Sequence, residues 1–370
     1  MNALPRILRR RGSVLVVVLV TLLFAAVLLT RLIETGAPDL LIAMRLADRD
    51  RLRADAYGAL ETTLAALVDF RTVDGGLYAP SQGWADPLGY AGYTPREGVT
   101  VTVTFEDESA KLSLPRLNAD TLNALLVQLG LTTADAARVA DALLVWMRNG
   151  HIAAESATSD RAYTQADPPA QPPRRSLRSF EELASIAVAR EFFFDEAGRP
   201  KPLFEAFTQA VSLYDFNATN LNSAGEAVLV ASGWDTTQSG QLQKYLATPV
   251  SSTKTRPYLR SLQEARAQVG NAASRNFGAQ IQLLRIHVTA RQGAAQLRLS
   301  ALVTWAGQAR LPSTVTAVPG SVPGAAQPAP GANPAPAPAA ANTLRYPFTV
   351  LELSENTLPE PPPPPDAPAA

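Results

Sequence analysis

The most distinctive pattern in the chain is an uninterrupted apolar run near the N-terminus. It covers residues 13–30, reads SVLVVVLVTLLFAAVLLT and contains no charged side chain. A helix of about 20 apolar residues spans the hydrocarbon core of a bilayer. Four arginines and no acidic residue precede the run, which favours a cytoplasmic N-terminus. The pattern predicts one membrane helix with the rest of the chain beyond the membrane, and an ordinary signal anchor would fit it as well.

Helical periodicity continues after the apolar run. Apolar side chains recur at intervals of three and four residues and make one face, formed by Tyr57, Leu60, Leu64, Leu67 and Val68. We therefore expect a helix over residues 13–70, and its part from Ser13 to Val68 would be roughly 80 Å long. Gly36 and Pro38 are expected to kink or locally break this helix.

Alternation of apolar and polar residues predicts strands toward both ends of the remaining chain. The apolar positions of the first strand are separated by threonines and are Val99, Val101, Val103 and Phe105. Two more alternating runs, at residues 284–290 and 297–305, flank Gly293 and predict a hairpin. A last short strand is expected near residues 346–353.

The residues between these strands show a helical pattern with an internal repeat. The two copies begin with a Leu-Asn pair, at Asn118 and Asn222, and turn at Gly130 and Gly233. We interpret them as a duplicated helix–hairpin–helix, or SAM-like, unit. Spacings of Ser and Glu typical of capping boxes occur at residues 179–182, 223–226 and 261–264.

These patterns predict an α+β protein with a long N-terminal transmembrane helix and an antiparallel sheet split by an inserted all-helical domain. In chain order, the expected parts are residues 1–12 as leader, 13–70 as N-terminal helix with its membrane segment at 13–30, 71–105 as first part of the head, 106–270 as inserted domain, 277–310 and 344–354 as the other head strands, 311–343 as a Pro/Ala-rich loop and 355–370 as a Pro-rich tail. The composition of the last two parts favours extended or flexible chain.

The chain offers little for catalysis. Its histidines are His151, expected in a loop, and His287, expected on the polar face of a strand. The sequence shows no Ser/His/Asp set, phosphate-binding loop or paired histidines. The acidic residues 106–108 are expected to form a solvated turn. We therefore predict no catalytic residue, no cofactor and no metal site, and we do not expect an enzyme.

Composition narrows the function classes further. The chain has 33 basic and 33 acidic side chains, so its formal net charge is zero. A neutral chain has no general attraction to nucleic acids or anionic lipids. There is no cysteine, which excludes disulfides and thiolate metal sites but indicates no compartment.

The junction between the basic segment and the apolar run carries a more specific signal. The basic residues lead directly into Gly12, and the apolar run starts at the next residue. This arrangement resembles the leader of type IV pilins and type II secretion pseudopilins. In those families a prepilin peptidase cuts after the glycine and methylates the new N-terminus. The resemblance implies a cut between Gly12 and Ser13 and N-methylation of Ser13.

The fifth residue of the mature chain would then be Val17, where most pilins have a glutamate. A carboxylate inside an apolar helix bundle is costly unless it is paired, so a subunit without a partner for it gains nothing from the charge. The K-type minor pseudopilin of type II secretion lacks this glutamate. With the leader, the repeat and the distal hairpin, the chain is similar to that family from Arg9 to about Leu353.

This resemblance implies a function. A K-type subunit joins I-type and J-type minor pseudopilins at the fibre tip, where its bulky head prevents further subunits from adding above it. The complex starts fibre assembly at the inner-membrane secretion platform, and the fibre helps folded proteins to leave through the outer membrane. The resemblance also implies a single-pass inner-membrane protein with a cytoplasmic N-terminus and a periplasmic head. A minor pilin of a type IV pilus or DNA-uptake fibre, and an unprocessed bitopic membrane protein, remain alternatives.

Two features of related proteins are not expected here. Members of the family often hold calcium in an acidic run after a tryptophan, but Trp146 is followed by Met-Arg-Asn-Gly-His, and the nearest acids, Glu155, Asp160 and Asp167, are widely spaced. Calcium needs six to eight oxygen ligands. Helix–hairpin–helix units can also bind DNA phosphates, yet lysine is scarce in both hairpins and Asp235 has the wrong charge. We therefore consider nucleic-acid binding unlikely.

Overall fold

The longest element of the protein is a single N-terminal helix. The computed structural model describes residues 12–154, 158–165, 171–250, 256–270, 276–293, 295–305, 308–311 and 347–356. Helix α1 (Gly12–Asp74) has 63 residues and is about 95 Å long at 1.5 Å per residue. It continues through Gly36 and Pro38, so the predicted local break is wrong, whereas a kink stays a prediction. Proline removes one backbone hydrogen bond, and a long helix keeps its bonds on both sides of that position.

A four-stranded antiparallel sheet forms the head beside α1. The strands in chain order are β1 (Thr100–Asp107), β2 (Leu112–Ser113), β3 (Val211–Ser212), β4 (Asp215–Phe216), β5 (Thr219–Asn220), β6 (Phe277–Gly278), β7 (Leu283–Gln292), β8 (Ala295–Trp305), β9 (Ala309–Arg310) and β10 (Phe348–Glu355). The sheet has the order β1-β7-β8-β10. The predicted strands and hairpin are confirmed, and Gly293 makes the hairpin turn with a φ of 56°, a conformation that suits glycine.

The C-terminal half of α1 packs across one face of this sheet. The predicted apolar face is buried or half-buried at Tyr57, Leu60, Leu64, Leu67 and Val68. It meets inward-pointing side chains of β7 and β8, including Ile286, Val288 and Leu299. Full burial of each large aliphatic side chain contributes about 1.5–3 kcal/mol. This apolar layer therefore joins the head to the helix that carries it.

Helices dominate the region between β1 and β7. After α1, the helices in chain order are α2 (Pro87–Tyr90), α3 (Ala119–Gln128), α4 (Thr133–Met147), α5 (Asp160–Thr164), α6 (Ala187–Phe193), α7 (Pro202–Ala210), α8 (Glu226–Ala231), α9 (Thr236–Ala247) and α10 (Leu262–Val269). The prediction of an all-helical insertion needs correction. Strand β2 pairs with β3, and strand β5 pairs with β6, each in a parallel ladder of two residues. Strand β4 pairs with β9 in an antiparallel ladder. Strands this short leave no alternating pattern in the sequence.

The repeated sequence pattern corresponds to two helix pairs, α3–α4 and α8–α9. Gly130 turns the first pair with a φ of 105°, and Gly233 turns the second with a φ of 94°. The second helix of each pair is capped by a polar side chain, Thr132 for α4 and Asp235 for α9. Both turns therefore follow the same plan of positive-φ glycine followed by a polar N-cap.

The predicted capping boxes are wrong in detail. Ser179 makes no side-chain cap, and α8 begins after Gly225, beyond Ser223. Ser261 does cap α10. The Glu264 carboxylate, however, accepts a hydrogen bond from the backbone N–H of Arg260 and not from that of Ser261, so the box is not closed. A capping box does form between Asp235 and Gln238.

Several predicted parts lie outside the described residues. They are the leader before Gly12, nearly all of the Pro/Ala-rich segment 311–343 and nearly all of the tail 355–370. The predictions for these parts, and the domain boundaries placed around them, stay predictions.

Candidate membrane and assembly sites

An apolar surface covers the N-terminal part of α1. Within the described ranges, Val14–Arg31 is the one helical stretch long and apolar enough to cross a membrane, by length and composition. None of this stretch is buried inside the protein. Contiguous exposed apolar surface of this extent is rare on soluble monomers and is unfavourable in water. The stretch therefore suits a lipid environment.

The predicted processing site lies at the start of this surface. Gly12 is the first residue of α1, and the arginines before it lie outside the described residues, as does the side chain of Ser13. The cut between Gly12 and Ser13 and the methylation of Ser13 therefore stay predictions. Val17 is 60% exposed. Its side chain thus faces away from the rest of the protein, and its correspondence to the pilin glutamate stays a prediction.

A charged cluster joins the sheet to the helical region. Lys111 Nζ lies 2.6 Å from Glu106 Oε1 and 3.3 Å from Glu108 Oε1. On β7, Arg285 Nε lies 3.2 Å from Glu108 Oε1, and its Nη1 lies 3.3 Å from Oε2 of Glu352 on β10. Charges of opposite sign therefore alternate across three strands of the sheet. They hold the first turn of the helical region against that sheet.

The expectation that residues 106–108 form a solvated turn is wrong. Glu108 is only 6% exposed. Asp107 ends β1 and caps the short 3-10 segment Glu108–Ala110 by accepting a hydrogen bond of 3.0 Å from Ser109 N. The turn is therefore an ordered joint between two parts of the fold. Arg285 on β7, the partner of Glu108, lies 177 positions away from it in sequence, beyond the reach of local pattern analysis.

Burial and neighbouring groups shift the pKa values of several side chains in this cluster, among them Glu106 and Tyr214. His287, whose Nε2 lies 3.7 Å from Glu106 Oε2, and the ammonium group of Lys111, at 2.6 Å, lower the pKa of Glu106 to about 2. Burial and a hydrogen bond to the carboxylate of Glu352 raise the pKa of the Tyr214 hydroxyl above its ordinary value. Glu106 is therefore ionised and Tyr214 neutral at physiological pH.

Arginine side chains hold the segment that follows α4. Arg148 is buried and donates a hydrogen bond to the carbonyl of Leu117. Arg174 donates to the carbonyls of Val145 at 2.7 Å and Arg148 at 3.1 Å. In the described part of the chain, no three His, Cys, Asp or Glu side chains are grouped to hold a metal. The two guanidinium groups therefore join the end of α4 to the segments before and after it.

The three acids considered for calcium binding are not described fully enough to test that use. Glu155 and Asp167 lie outside the described residues, as does the side chain of Asp160. His151 lies in the loop, as expected, with Nε2 2.8 Å from Asp141 Oδ1. The other oxygen of Asp141 accepts from the Ala154 backbone at 2.9 Å and from the hydroxyl of Thr158. Asp141 therefore fastens the loop to α4.

The hairpin turns serve the helices on either side of them. Thr132 accepts a hydrogen bond from Asp135 N, and the Asp235 carboxylate accepts one of 2.7 Å from Gln238 N. Trp234 is buried and packs edge-on against Phe277, with ring centroids 5.5 Å apart. An anionic cap at the second turn disfavours a phosphate there. The expectation that nucleic acid is an unlikely partner stays a prediction, supported by this use of the turns.

Two comparisons relate this architecture to known proteins. Residues 106–194 match the family model described as Type II secretion system (T2SS), protein K; the match starts at the end of β1 and ends just after α6. One chain of the crystal structure of the GspK-GspI-GspJ complex from the enterotoxigenic Escherichia coli type 2 secretion system is similar in fold, with a TM-score of 0.51 and 12% identity, covering 84% of this chain and 99% of that chain. No curated protein matches the chain in sequence. The resemblance to type II secretion system protein K is therefore confirmed, in sequence over residues 106–194 and in fold over most of the chain.

Proposed function

We propose that the protein is a K-type minor pseudopilin at the tip of a type II secretion pseudopilus. The observation that carries the proposal is the match of residues 106–194 to protein K, because these residues form the region that distinguishes this head from a simple helix-and-sheet subunit. Proteins of this family are structural components of the secretion system.

The architecture supports a terminal position in the fibre. Helix α1 carries the sheet, and the chain between β1 and β7 adds α3 to α10 beside it. We infer that α3–α4 and α8–α9 are two copies of one unit inserted into a pilin-like head. This added bulk would prevent another subunit from stacking above. Val17 fits the same position, since a tip subunit has no neighbour whose amine a carboxylate could pair with.

We propose I-type and J-type minor pseudopilins as direct partners. The basis is the similar solved chain, which belongs to a complex that contains GspI and GspJ. The prepilin peptidase and the inner-membrane secretion platform follow as further partners. In this proposal the Val14–Arg31 stretch crosses the inner membrane once, with the N-terminus in the cytoplasm and the head in the periplasm.

Mass spectrometry of the N-terminus tests the assignment to the pilin superfamily. We expect a mature chain that begins at methylated Ser13 in cells with the prepilin peptidase, and an uncut leader in cells without it. Gly12→Val should block the cut, whereas Gly36→Val, a matched change inside α1, should not. An uncut N-terminus in both strains would overturn the pseudopilin assignment and leave an ordinary signal anchor.

Co-purification separates the K-type assignment from the alternative of a minor pilin in a type IV pilus. The full-length chain should form a ternary complex with the I-type and J-type subunits after extraction in mild detergent. A chain that is cut at Gly12 but binds neither subunit would favour the type IV alternative. DNA binding that weakens with salt would favour a DNA-uptake fibre.

A further inference from the structure

A cleft is lined by α7, by α8 and by the segment that follows β1. Its volume is ≈ 460 Å³, which is within the range of pockets that hold ligands. Small or apolar side chains form much of its wall, and they are Ala110, Leu129, Ala206, Ala210 and Val228. Ala206 and Ala210 are four residues apart on α7 and so share one face of that helix. A wall of this kind suits an aliphatic chain.

The charged residues that line the cleft are mostly acidic. They are Glu106, Asp107 and Glu226, with Lys111 as the basic residue among them. Three acidic residues against one basic residue give the lining a formal charge of −2. Lys111 Nζ lies 2.6 Å from Glu106 Oε1 and 3.3 Å from Glu108 Oε1, so two carboxylates share its charge. The cleft therefore attracts cations and repels anions.

Two of these carboxylates have no cation beside them. Asp107 accepts hydrogen bonds from Ser109 N at 3.0 Å, from the hydroxyl of Ser109 and from Asn220 Nδ2 at 2.7 Å, and the hydroxyl of Ser223 is a further partner. All of these donors are neutral. Glu226 is exposed at the start of α8. Among the residues that the structure describes, no basic side chain lies within ion-pair distance of Asp107 or Glu226, so their charge is available to a ligand.

Apolar walls combined with unpaired carboxylates suit a side chain with an aliphatic stem and a cationic head. Arginine and lysine have this form. The planar guanidinium of arginine matches a carboxylate with two parallel hydrogen bonds, and these charge-assisted bonds are stronger than those of a hydroxyl. Gln209 and Ser223 are exposed lining residues, and their amide and hydroxyl groups can hydrogen-bond a peptide backbone. The chemistry of the cleft therefore favours a peptide segment that carries arginine.

We propose that this cleft is a docking site for a segment of a partner protein, with an arginine side chain that pairs with the carboxylates of Asp107 and Glu226. The aliphatic stem of the arginine packs against the alanines of α7 and against Val228. The guanidinium supplies the positive charge that the lining lacks. The bound segment would therefore connect α7 and α8 to the end of the sheet. This inference does not depend on the proposed secretion function.

Titration with a synthetic peptide tests the proposal. The probe is the acetylated and amidated tetrapeptide Ser-Leu-Arg-Ser, added to the full-length chain in detergent, and NMR follows the methyl groups of Ala206, Ala210 and Ala227 in the cleft. A control peptide carries citrulline, which keeps the shape of arginine without its charge. We expect saturable shifts of these methyl signals and about tenfold weaker binding of the citrulline peptide, since hydrogen bonds between charged groups are the stronger ones. An absence of saturable shifts, or equal affinity for the two peptides, would overturn the proposal.

Variants at exposed positions locate the binding in this cleft. Glu226→Gln removes one carboxylate of the lining and should weaken binding of the arginine peptide roughly threefold, whereas Glu205→Gln, on α7 but outside the lining, should leave it unchanged. Gln209→Trp should fill the cleft and abolish the shifts. Free spermidine should bind more weakly than the peptide, because it has no backbone for the polar residues of the rim. Equal effects of the two glutamine variants, undiminished binding to Gln209→Trp, or tighter binding of spermidine would refute the proposal.

Discussion

Arg96 and Asp55 form a two-pronged ion pair that fastens the segment before β1 to α1. Arg96 Nη2 lies 2.6 Å from Asp55 Oδ2, and Arg96 Nε lies 3.0 Å from each carboxylate oxygen. The Asp55 side chain is only 9% exposed, whereas Arg96 remains partly in solvent. The buried carboxylate therefore depends on the arginine, because the helix around it is packed on the sheet.

We expect Arg96→Ala to lower the free energy of unfolding measurably, since it leaves the Asp55 carboxylate buried without its cation. Arg96→Lys should lose less, because it keeps the charge but loses the fork geometry. Urea unfolding of the full-length chain in detergent measures both. Arg199→Ala is the control, because Arg199 is 80% exposed in its pair with Asp195 and its loss should have a much smaller effect. Equal losses in the two alanine variants would contradict the prediction.

The cluster around Glu106 should stabilise the fold in a pH-dependent way. The pKa of Glu106 is lowered from 4.5 to about 2, so its contribution is complete above pH 4.5 and is lost as pH falls toward 2. We expect the stability difference between the wild-type chain and Glu106→Gln to be largest at neutral pH and to vanish near pH 2. Its side chain is 43% exposed, so added salt should reduce the difference. A difference that is constant with pH would contradict the assigned pairing.

Two glycines in the second helix pair should respond to alanine in opposite directions. Gly233 has a φ of 94°, so Gly233→Ala should destabilise the protein by about 1 kcal/mol. Gly240 lies inside α9, and an added Cβ would have no heavy atom within 4 Å. Gly240→Ala should therefore stabilise by about 0.5–1 kcal/mol. Thermal unfolding of the two variants measures the change in stability. Shifts of the melting temperature in the same direction would contradict the placement of Gly233 in the turn and of Gly240 inside α9.

Asp235 caps a helix with its side chain, whereas Ser179, which the sequence spacing predicts as a cap, does not. Asp235→Ala should cost about 1 kcal/mol, because Asp235 caps α9 in a closed capping box. Ser179→Ala should have little effect, since Ser179 makes no side-chain cap although its spacing to Glu182 suggests one. Denaturant titration of this pair compares a formed with an unformed cap. A larger loss in Ser179→Ala would show that the local backbone at residue 179 differs from the one described.

The features that could be predicted from the sequence are those with long periods or strong local geometry. The membrane-length run, the alternation in β1, β7 and β8, and the turn at Gly293 each extend over many residues or depend on one conformation. The charged joint could not be predicted, because Glu108 meets Arg285 only after the sheet has formed. Ser223 shows the same limit for caps: its spacing to Glu226 is right, yet the helix begins after Gly225.

The continuity of α1 has a mechanical consequence. About 20 residues separate Arg31, at the end of the apolar stretch, from Leu52, where burial against the head begins, and they amount to about 30 Å of helix. From the middle of the apolar stretch to the middle of the packed face the distance is about 60 Å. Over a lever arm of that length, a 10° tilt of the anchor displaces the head sideways by about 10 Å, roughly the diameter of a helix. Small reorientations within the bilayer would thus become subunit-scale movements of the head.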